Sequence, residues 1–193
     1  MTDKDDHLLR AALGGDAEAF CGVAERHEKW LFQRAYAMCR DHHLAEDLTQ
    51  ETMLEAWKSR SRYNGRCRFS TWLYSILLHR HKKSRRKARL VPLPESDLRK
   101  GCASESKNIP GASDALSDPG GDAPAIMKEK ERNERLRAGI DRLPEPMRAV
   151  ILMHFFAHAP LAEISEALAV PLGTVKSRLH YGLEKLREKC DFP

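Results

Sequence analysis

The sequence predicts an all-α protein built from two small helical domains joined by a flexible linker. Over most of the chain, apolar residues recur every three or four positions, which is the spacing of amphipathic helices. The exception is the stretch 91–124, where Pro, Gly, Ser, Ala and Asp dominate and no apolar period is visible. A stretch of that length is too long for a loop inside a compact domain. We therefore expect one domain over residues 1–90 and a second over 125–193.

Positive charge is concentrated in one segment of the first domain. From Lys58 to Arg89 the chain has twelve Lys and Arg and no Asp or Glu, so this segment carries +12 within a chain whose net charge is +5. The other residues are therefore acidic on balance. Tyr63, Phe69, Trp72 and Tyr74 lie among the cations, and we expect Phe69 and Trp72 in the core but Tyr63 and Tyr74 free to meet a base. Cations that attract phosphates, combined with aromatic faces, predict a platform for single-stranded nucleic acid, whereas a solvated basic face is the alternative.

Composition argues against a membrane or secreted protein. No apolar run is long enough to cross a bilayer, and the first residues, MTDKDDHLLR, are acidic rather than a signal sequence. The five cysteines are scattered without a C-x-x-C pair, as is typical of free thiols in a reducing compartment. Neither the pair His154 and His158 nor Cys39 with His42 and His43 has a further close ligand nearby. We expect a cytoplasmic protein with no membrane insertion, no metal and no cofactor.

Helix breakers and caps divide the first domain. Gly14-Gly15 ends a short first helix, and Asp16 is placed to cap a second helix that continues to about Arg40. A third helix is predicted from about Leu44 to Lys58. A fourth follows the Asn64-Gly65 turn inside the basic segment, with Ser70 or Thr71 as its expected cap.

The third predicted helix has one acidic face. This face contains Glu46, Asp47, Gln50, Glu51 and Glu55, opposite an apolar line. Acidic side chains do not serve nucleic acid. The face is either a solvated helix surface or a docking surface for a basic protein partner.

The run LAEDLTQETMLEAW, followed by a Tyr, a basic turn and FSTWLYSI, resembles region 2 of bacterial sigma-70 RNA polymerase sigma factors of the extracytoplasmic-function (ECF) class. In that family the acidic helix docks on a coiled coil of the polymerase clamp. The next helix melts the promoter's −10 element and holds the non-template strand. The resemblance assigns core RNA polymerase binding to Asp47, Gln50, Glu51, Leu54 and Trp57. It assigns −10 DNA binding to Tyr63, Asn64, Arg66, Phe69, Ser70, Thr71, Trp72, Tyr74, His79, Arg80, Lys83 and Arg86. The chain departs from the family at His79-Arg80-His81, where an Arg-Asn pair is common.

The second domain contains a predicted helix-turn-helix. Leu161 to Leu168 is a short helix, Ala169-Val170-Pro171 a turn, and Leu172 to about Lys189 a second helix. Two helices joined by so tight a turn are typical of major-groove readers, and a solvated helical hairpin is the alternative. The residues expected to face DNA are Thr174, Lys176, Ser177, Arg178, His180 and Tyr181. Upstream, the residues expected in the core are Met147, Val150, Ile151, Met153, His154 and Phe155.

The pattern EIxxxLxVPxGTVKSRL, beginning at Glu163, resembles region 4.2 of the same sigma factors, which reads the −35 element. Together the two resemblances imply a region 2-like bundle and a region 4-like helix-turn-helix. They imply a protein that directs core RNA polymerase to promoter DNA and has no catalytic residues of its own. An anti-sigma factor partner is implied by resemblance, as is a linker that threads close to the polymerase active site.

Two other functions remain open at the level of sequence. A helix-turn-helix activator that never joins polymerase explains the second domain but leaves the basic segment unexplained. A thiol- or metal-dependent enzyme would use Cys39 with His42 or His43, although no base or oxyanion donor is visible beside them. We also hypothesise a redox role for Cys67, on the expectation of an exposed thiol whose pKa the nearby cations lower.

Overall fold

The computed structural model describes the backbone of residues 3–90 and 123–190, and every regular element in these two ranges is helical. The prediction of an all-α protein with two helical domains is confirmed. Most of the expected linker lies outside the described residues. Its last two residues belong to a helix that begins at Ala123, before the boundary predicted at Ala125.

The first domain comprises four α-helices and one short 3₁₀ turn. In chain order they are α1 (Asp3–Leu13), α2 (Ala17–Cys39), α3 (His42–Lys58), the 3₁₀ turn (Arg60–Arg62) and α4 (Phe69–Leu90). The predicted cap is present: the Asp16 carboxylate accepts hydrogen bonds from the backbone N–H groups of Glu18 and Ala19, at 3.0 and 3.1 Å. Asp41 caps α3 in the same way by accepting from the N–H of Leu44 at 2.9 Å. These caps satisfy backbone donors that have no partner inside the helix.

The second domain also consists of helices. They are α5 (Ala123–Asp141), α6 (Glu145–Ile151) with a π-helical turn (Leu152–Phe156) directly after it, α7 (Leu161–Leu168) and α8 (Leu172–Cys190). The predicted bounds of the helix-turn-helix are confirmed, to within a residue at the C-terminal end of α8. The turn is made possible by Ala169, which adopts the left-handed conformation at φ 51°, and by Ser165, whose hydroxyl donates to the Val170 carbonyl at 2.7 Å.

The apolar positions of the helices form the cores. In the first domain, α2, α3 and α4 pack together around Leu31, Leu48, Leu73 and Leu77, all at most 1% exposed. In the second, α6, α7 and α8 and the π turn enclose Val150, Ile151, Met153, Ile164 and Val175, all at most 2% exposed. None of the helices in the described ranges has the length and hydropathy of a membrane span.

Phe155 does not join this core, contrary to prediction. Its side chain is 48% exposed, and its ring instead lies 4.9 Å from that of His154. Phe155 was expected in the core because it belongs to EPMRAVILMHFF, the most apolar stretch of the chain. The π turn over Leu152–Phe156 adds a residue per turn and rotates Phe155 outward.

Candidate polymerase and nucleic-acid interfaces

One face of α3 is both acidic and apolar. Asp47, Gln50, Glu51 and Leu54 follow one another at helical spacing, and all four are exposed. Leu54 is 58% exposed, the largest value among the large apolar residues that the structure describes. We call these four residues the acidic face. A leucine surrounded by carboxylates is an apolar anchor within a charged rim, as at the centre of a protein interface.

Trp57, predicted to share in this face, is partly withdrawn from it. Its ring lies 5.1 Å from that of Phe20 in α2, and the Arg60 guanidinium lies over it at 4.2 Å. Trp57 is therefore half-buried and fixed at the edge of the acidic face.

The basic segment begins with an exposed turn. The Asn64 side chain accepts a hydrogen bond from the Arg66 N–H at 3.0 Å, and Gly65 occupies the left-handed region at φ 74°, which a residue without Cβ adopts at little cost. Asn64 and Arg66 are both exposed. The turn therefore presents one amide and one guanidinium directly to solvent.

Three aromatic rings follow this turn and support one another. Tyr63, Phe69 and Trp72 have ring centroids 5.3 to 5.6 Å apart, and the Tyr63 hydroxyl donates to the Cys67 carbonyl at 2.7 Å. Phe69 is buried, as predicted, whereas Trp72 and Tyr63 are half-buried. Their remaining exposed edges give a rigid platform next to the exposed turn.

The expectation that Tyr74 is free to meet a base is wrong. Tyr74 is 1% exposed, its ring meets that of Trp30 edge to face at 6.0 Å, and burial raises the pKa of its hydroxyl. The reason is that α4 is covered on two sides, by α2 and by the second domain. The single apolar stripe of α4 predicts one buried side of the helix and does not show that the second domain buries another side.

The exposed thiol expected at Cys67 is also a wrong prediction. Cys67 is 7% exposed, and burial, together with the negative charges of Glu163 and Glu166, raises its pKa to about 11. The cations of the basic segment do not activate it. The redox hypothesis loses the observation that motivated it.

Further along α4, Lys83 and Arg86 form an exposed cationic stripe together with the imidazole of His79. The three residues are spaced as i, i+4 and i+7 from His79 on one side of the helix. This stripe lines one wall of an open groove of about 910 Å³, and Asp47 and Glu51 of the acidic face line the opposite wall. Arg80 differs from its neighbours because it pairs with Glu55 of α3 and is only 21% exposed. Arg80 therefore connects α3 and α4 in this arrangement.

The prediction that Ser70 or Thr71 caps the start of α4 is wrong. The carboxylate of Glu163, from α7 of the second domain, accepts hydrogen bonds from the backbone N–H of Arg68 at 3.1 Å and from the Thr71 hydroxyl at 2.7 Å. Ser70 is half-buried. Glu163 gives no local signal at the start of α4, because it lies 92 residues from Thr71 in the chain.

In α8, the predicted DNA-facing residues form one surface. Lys176, Ser177, His180 and Tyr181 are exposed, and Thr174 and Arg178 are half-buried. The Ser177 hydroxyl donates to the Thr174 carbonyl at 3.0 Å, whereas Lys176 and Tyr181 extend outward. The second helix of the helix-turn-helix thus presents a cation, a phenol, a hydroxyl and an imidazole to its surroundings.

The surroundings of Cys39 disfavour the nucleophile that the enzyme alternative requires. Burial raises the pKa of its thiol, whereas a nucleophilic cysteine needs a lowered pKa. His42 and His43 instead come together with Glu46, within 4.8 Å of one another at donor atoms, and all three are exposed. Glu46, expected only as part of the acidic helix face, thus gives the two histidines a third donor nearby.

Comparison with known proteins agrees with the two domains. The Sigma-70 region 2 family matches residues 23–91, and the Sigma-70 region 4 family matches residues 139–188. The ECF RNA polymerase sigma factor SigW of Bacillus subtilis is 30% identical, over 94% of this chain and 94% of its own length. The ECF RNA polymerase sigma factor RpoE of Cereibacter sphaeroides is 32% identical, over 97% of this chain and 98% of its own length.

Two solved structures share the fold. CnrH, in complex with the cytosolic domain of CnrY, has a TM-score of 0.62 at 20% identity and covers 98% of each chain. The sigma factor RpoE, in complex with the anti-sigma factor NepR from Bartonella quintana, has a TM-score of 0.56 at 20% identity, over 91% of this chain and 98% of its own.

The chain belongs to the ECF class of sigma-70 RNA polymerase sigma factors. It acts in promoter-directed transcription initiation with RNA polymerase. The alternative of an activator outside the polymerase holoenzyme is not favoured. The relatives of this chain are sigma factors rather than enzymes.

Proposed function

We propose that α3 binds core RNA polymerase through the acidic face. The observation that carries this proposal is the exposed Leu54 beside Asp47, Gln50 and Glu51. A basic polymerase surface would neutralise the carboxylates while covering the leucine, which combines electrostatic steering with apolar burial. Trp57 lies at the edge of this contact, and its packing on Phe20 fixes the Trp57 ring there.

The −10 element is proposed to bind along the basic segment. Asn64 and Arg66 in the turn, followed by the exposed edges of Tyr63 and Trp72, contact the displaced strand. Stacking on an aromatic side chain contributes about 1 to 3 kcal/mol per base, which helps to offset the cost of unpairing the duplex. The cationic stripe of α4 continues this surface with phosphate contacts. Phe69 supports the aromatic platform from beneath, and Ser70, Thr71 and Arg80 complete the predicted set.

The −35 element is proposed to bind α8 in its major groove. Lys176 and Arg178 are assigned to guanine edges or phosphates, and Thr174 and Ser177 are assigned to either kind of contact. His180 and Tyr181 extend the surface by one further turn of the helix. The linker assigned to 91–124 separates this domain from the first and lets the two reach separate promoter elements.

The fold is shared with a sigma factor solved in complex with an anti-sigma factor, which supports an anti-sigma partner for this chain. We propose a cytoplasmic location, because the sigma factor relatives of this chain act with RNA polymerase. Polymerase carries out the chemistry, so we assign no catalytic residue to this chain.

Pull-down of purified core RNA polymerase tests the docking surface. The Asp47→Lys, Glu51→Lys double variant is expected to lose binding, because two repulsive charges would face the basic partner. Glu131→Lys with Glu134→Lys makes the same change of charge on exposed residues of α5 and is expected to bind like the wild type. Equal binding by all three proteins would contradict the assignment of the acidic face.

A further inference from the structure

The start of α4 is held by a residue of the helix-turn-helix. One Glu163 oxygen accepts from the Thr71 hydroxyl at 2.7 Å and from the Arg68 N–H at 3.1 Å. The other oxygen accepts from Arg68 Nε at 2.9 Å. The Arg68 guanidinium also donates to the carbonyl of His158, just before α7, at 3.2 Å. One carboxylate therefore joins three donors at the N-terminal end of a long helix, where negative charge is favoured.

A second carboxylate of α7 extends the contact. Glu166 lies 3.8 Å from the Arg66 guanidinium, measured between Oε2 and Nη1. This outer pair is well exposed and screened by salt, so it contributes little alone. The Glu163 carboxylate is more protected, with its side chain 19% exposed. Burial raises the pKa of Glu163, but the hydrogen bonds and charge from Thr71 and Arg68 outweigh burial and hold the pKa below its ordinary value. The carboxylate is therefore charged at neutral pH.

Elsewhere, the boundary between the domains combines an ion pair with apolar contacts around a cavity. On the far side of α4, Arg85 meets Asp141 of α5 at 3.3 Å, in a pair that is also partly exposed. Between the domains, a cavity of about 240 Å³ lies among Tyr74, His81, Ile140, Arg148 and Phe156. An unfilled cavity forgoes dispersion contacts across the boundary. Ion pairs at both ends of the boundary therefore add charge-specific contacts to the apolar cluster that the two domains share.

The carboxylates of α7 contact the residues proposed to hold the −10 strand. Arg66 and Thr71 belong to that set, and Arg68 lies between them. A phosphate group and a carboxylate are both anions that accept from the same N–H and O–H donors. With Glu163 seated on Thr71 and Arg68, a phosphate of the displaced strand has no access to them. The helix-turn-helix also remains beside the −10 surface instead of reaching a distant element.

We propose that Glu163 and Glu166 act as a latch that holds the free protein in a self-inhibited state, in which α7 covers the −10 strand-binding end of α4. The proposal rests on the proposed function of the basic segment. Opening the latch removes the carboxylate partners of Arg66, Arg68 and Thr71, uncovers the buried Thr71 hydroxyl, and at the same time frees the second domain. A partner that binds only the open arrangement, as core polymerase would, shifts the population toward it.

The full-length Glu163→Gln, Glu166→Gln variant tests the latch. We expect a larger radius of gyration by small-angle X-ray scattering. We also expect at least about fivefold tighter binding to a fluorescein-labelled, mixed-sequence single strand of about 15 nucleotides, because a larger fraction of the molecules is competent to bind. Glu184→Gln with Glu188→Gln is the matched control. It removes the same charge from exposed positions of α8 and is expected to change compactness little and affinity less than the latch variant.

A charge exchange separates the latch from general destabilisation. Arg68→Glu alone is expected to open the molecule. Arg68→Glu combined with Glu163→Arg restores an ion pair across the boundary and is expected to restore compactness in part, because an arginine at residue 163 cannot accept from Thr71 or from the backbone N–H. Unchanged compactness in the Glu163→Gln, Glu166→Gln variant would overturn the latch. Opening without tighter single-strand binding, while the wild type binds the strand, would overturn the inhibition. If no variant binds the strand, the −10 assignment of the proposed function fails as well.

Discussion

The Glu55 carboxylate of α3 and the Arg80 guanidinium of α4 form an ion pair across the helix contact. It joins the helix proposed to bind polymerase to the helix proposed to bind the promoter. Arg80 Nε is buried and has no hydrogen-bond partner within the described part of the chain. The pair is therefore the main compensation for burying this guanidinium, and its position suits a structural role that keeps α3 and α4 in register.

Glu55→Ala is expected to lower the free energy of unfolding by about 1 to 2 kcal/mol, because it leaves the largely buried Arg80 charge without its partner. The expected loss in free energy of unfolding is smaller than that for breaking a fully buried ion pair, because the Glu55 side chain remains 34% exposed. Urea unfolding followed by circular dichroism measures the change. His79→Ala, at an exposed position one residue away, is the control. No greater loss in Glu55→Ala than in this control would show that the pair contributes little.

Gly182 permits close packing of α8 on α6. A Cβ added at residue 182 would lie 2.8 Å from Ile151 Cδ1. Gly182→Ala is therefore expected to destabilise the second domain by about 1 kcal/mol, because the overpacking cost of displacing the buried Ile151 exceeds the gain in helix propensity. Gly173, near the start of the same helix, has open space around the corresponding position. Gly173→Ala is expected to be neutral or slightly stabilising, since alanine favours the helix. Thermal unfolding of both variants measures the contrast, and equal midpoints would contradict it.

Cys67 is expected to resist alkylation near neutral pH. A pKa raised to about 11, from an ordinary 9.0, lowers the thiolate fraction by about 100-fold at pH 8. Reactivity should therefore rise steadily as the pH approaches 11. Peptide mass spectrometry after a short iodoacetamide pulse measures each cysteine separately, with the exposed Cys21 as internal reference. Labelling of Cys67 as rapid as that of Cys21 at pH 7 would show that the folded chain exposes its thiolate.

Substitution of Lys176 by Ala is expected to weaken holoenzyme binding to the −35 element. A base contact would cost about 1 to 3 kcal/mol and relax the preference at one position, whereas a phosphate contact would weaken all sequences alike. Selection of bound fragments from a randomised promoter library, followed by sequencing, distinguishes the two. Lys185→Ala removes the same charge from an exposed position later in α8 and serves as control. Identical selected sequences and affinities for both variants would remove Lys176 from the predicted set.

Local signals in the sequence were sufficient for the helices and the fold class. Asp16 precedes a helix that it caps, and apolar spacing of three and four residues identifies the stripes that become the two cores. The VPLGTV turn identifies the helix-turn-helix. Each of these signals acts within one or two helical turns, where periodicity and capping depend on neighbours in the chain. The exposed positions of the acidic face follow from the same local geometry.

Tertiary structure decided which side chains of the site are buried and which are paired with another group. Tyr74 and Cys67 are buried because the second domain and the carboxylates of α7 lie against the basic segment, and Phe155 is exposed because a π turn changes the helical period. The cap on α4 comes from Glu163, whose sequence separation from Thr71 is 92 residues. The sequence alone determined which segments are helical and which residue types each presents, because these follow from contacts along the chain. Which cations stay open and which are paired was decided only by how the helices pack, because a charge is neutralised by whatever lies nearest in space.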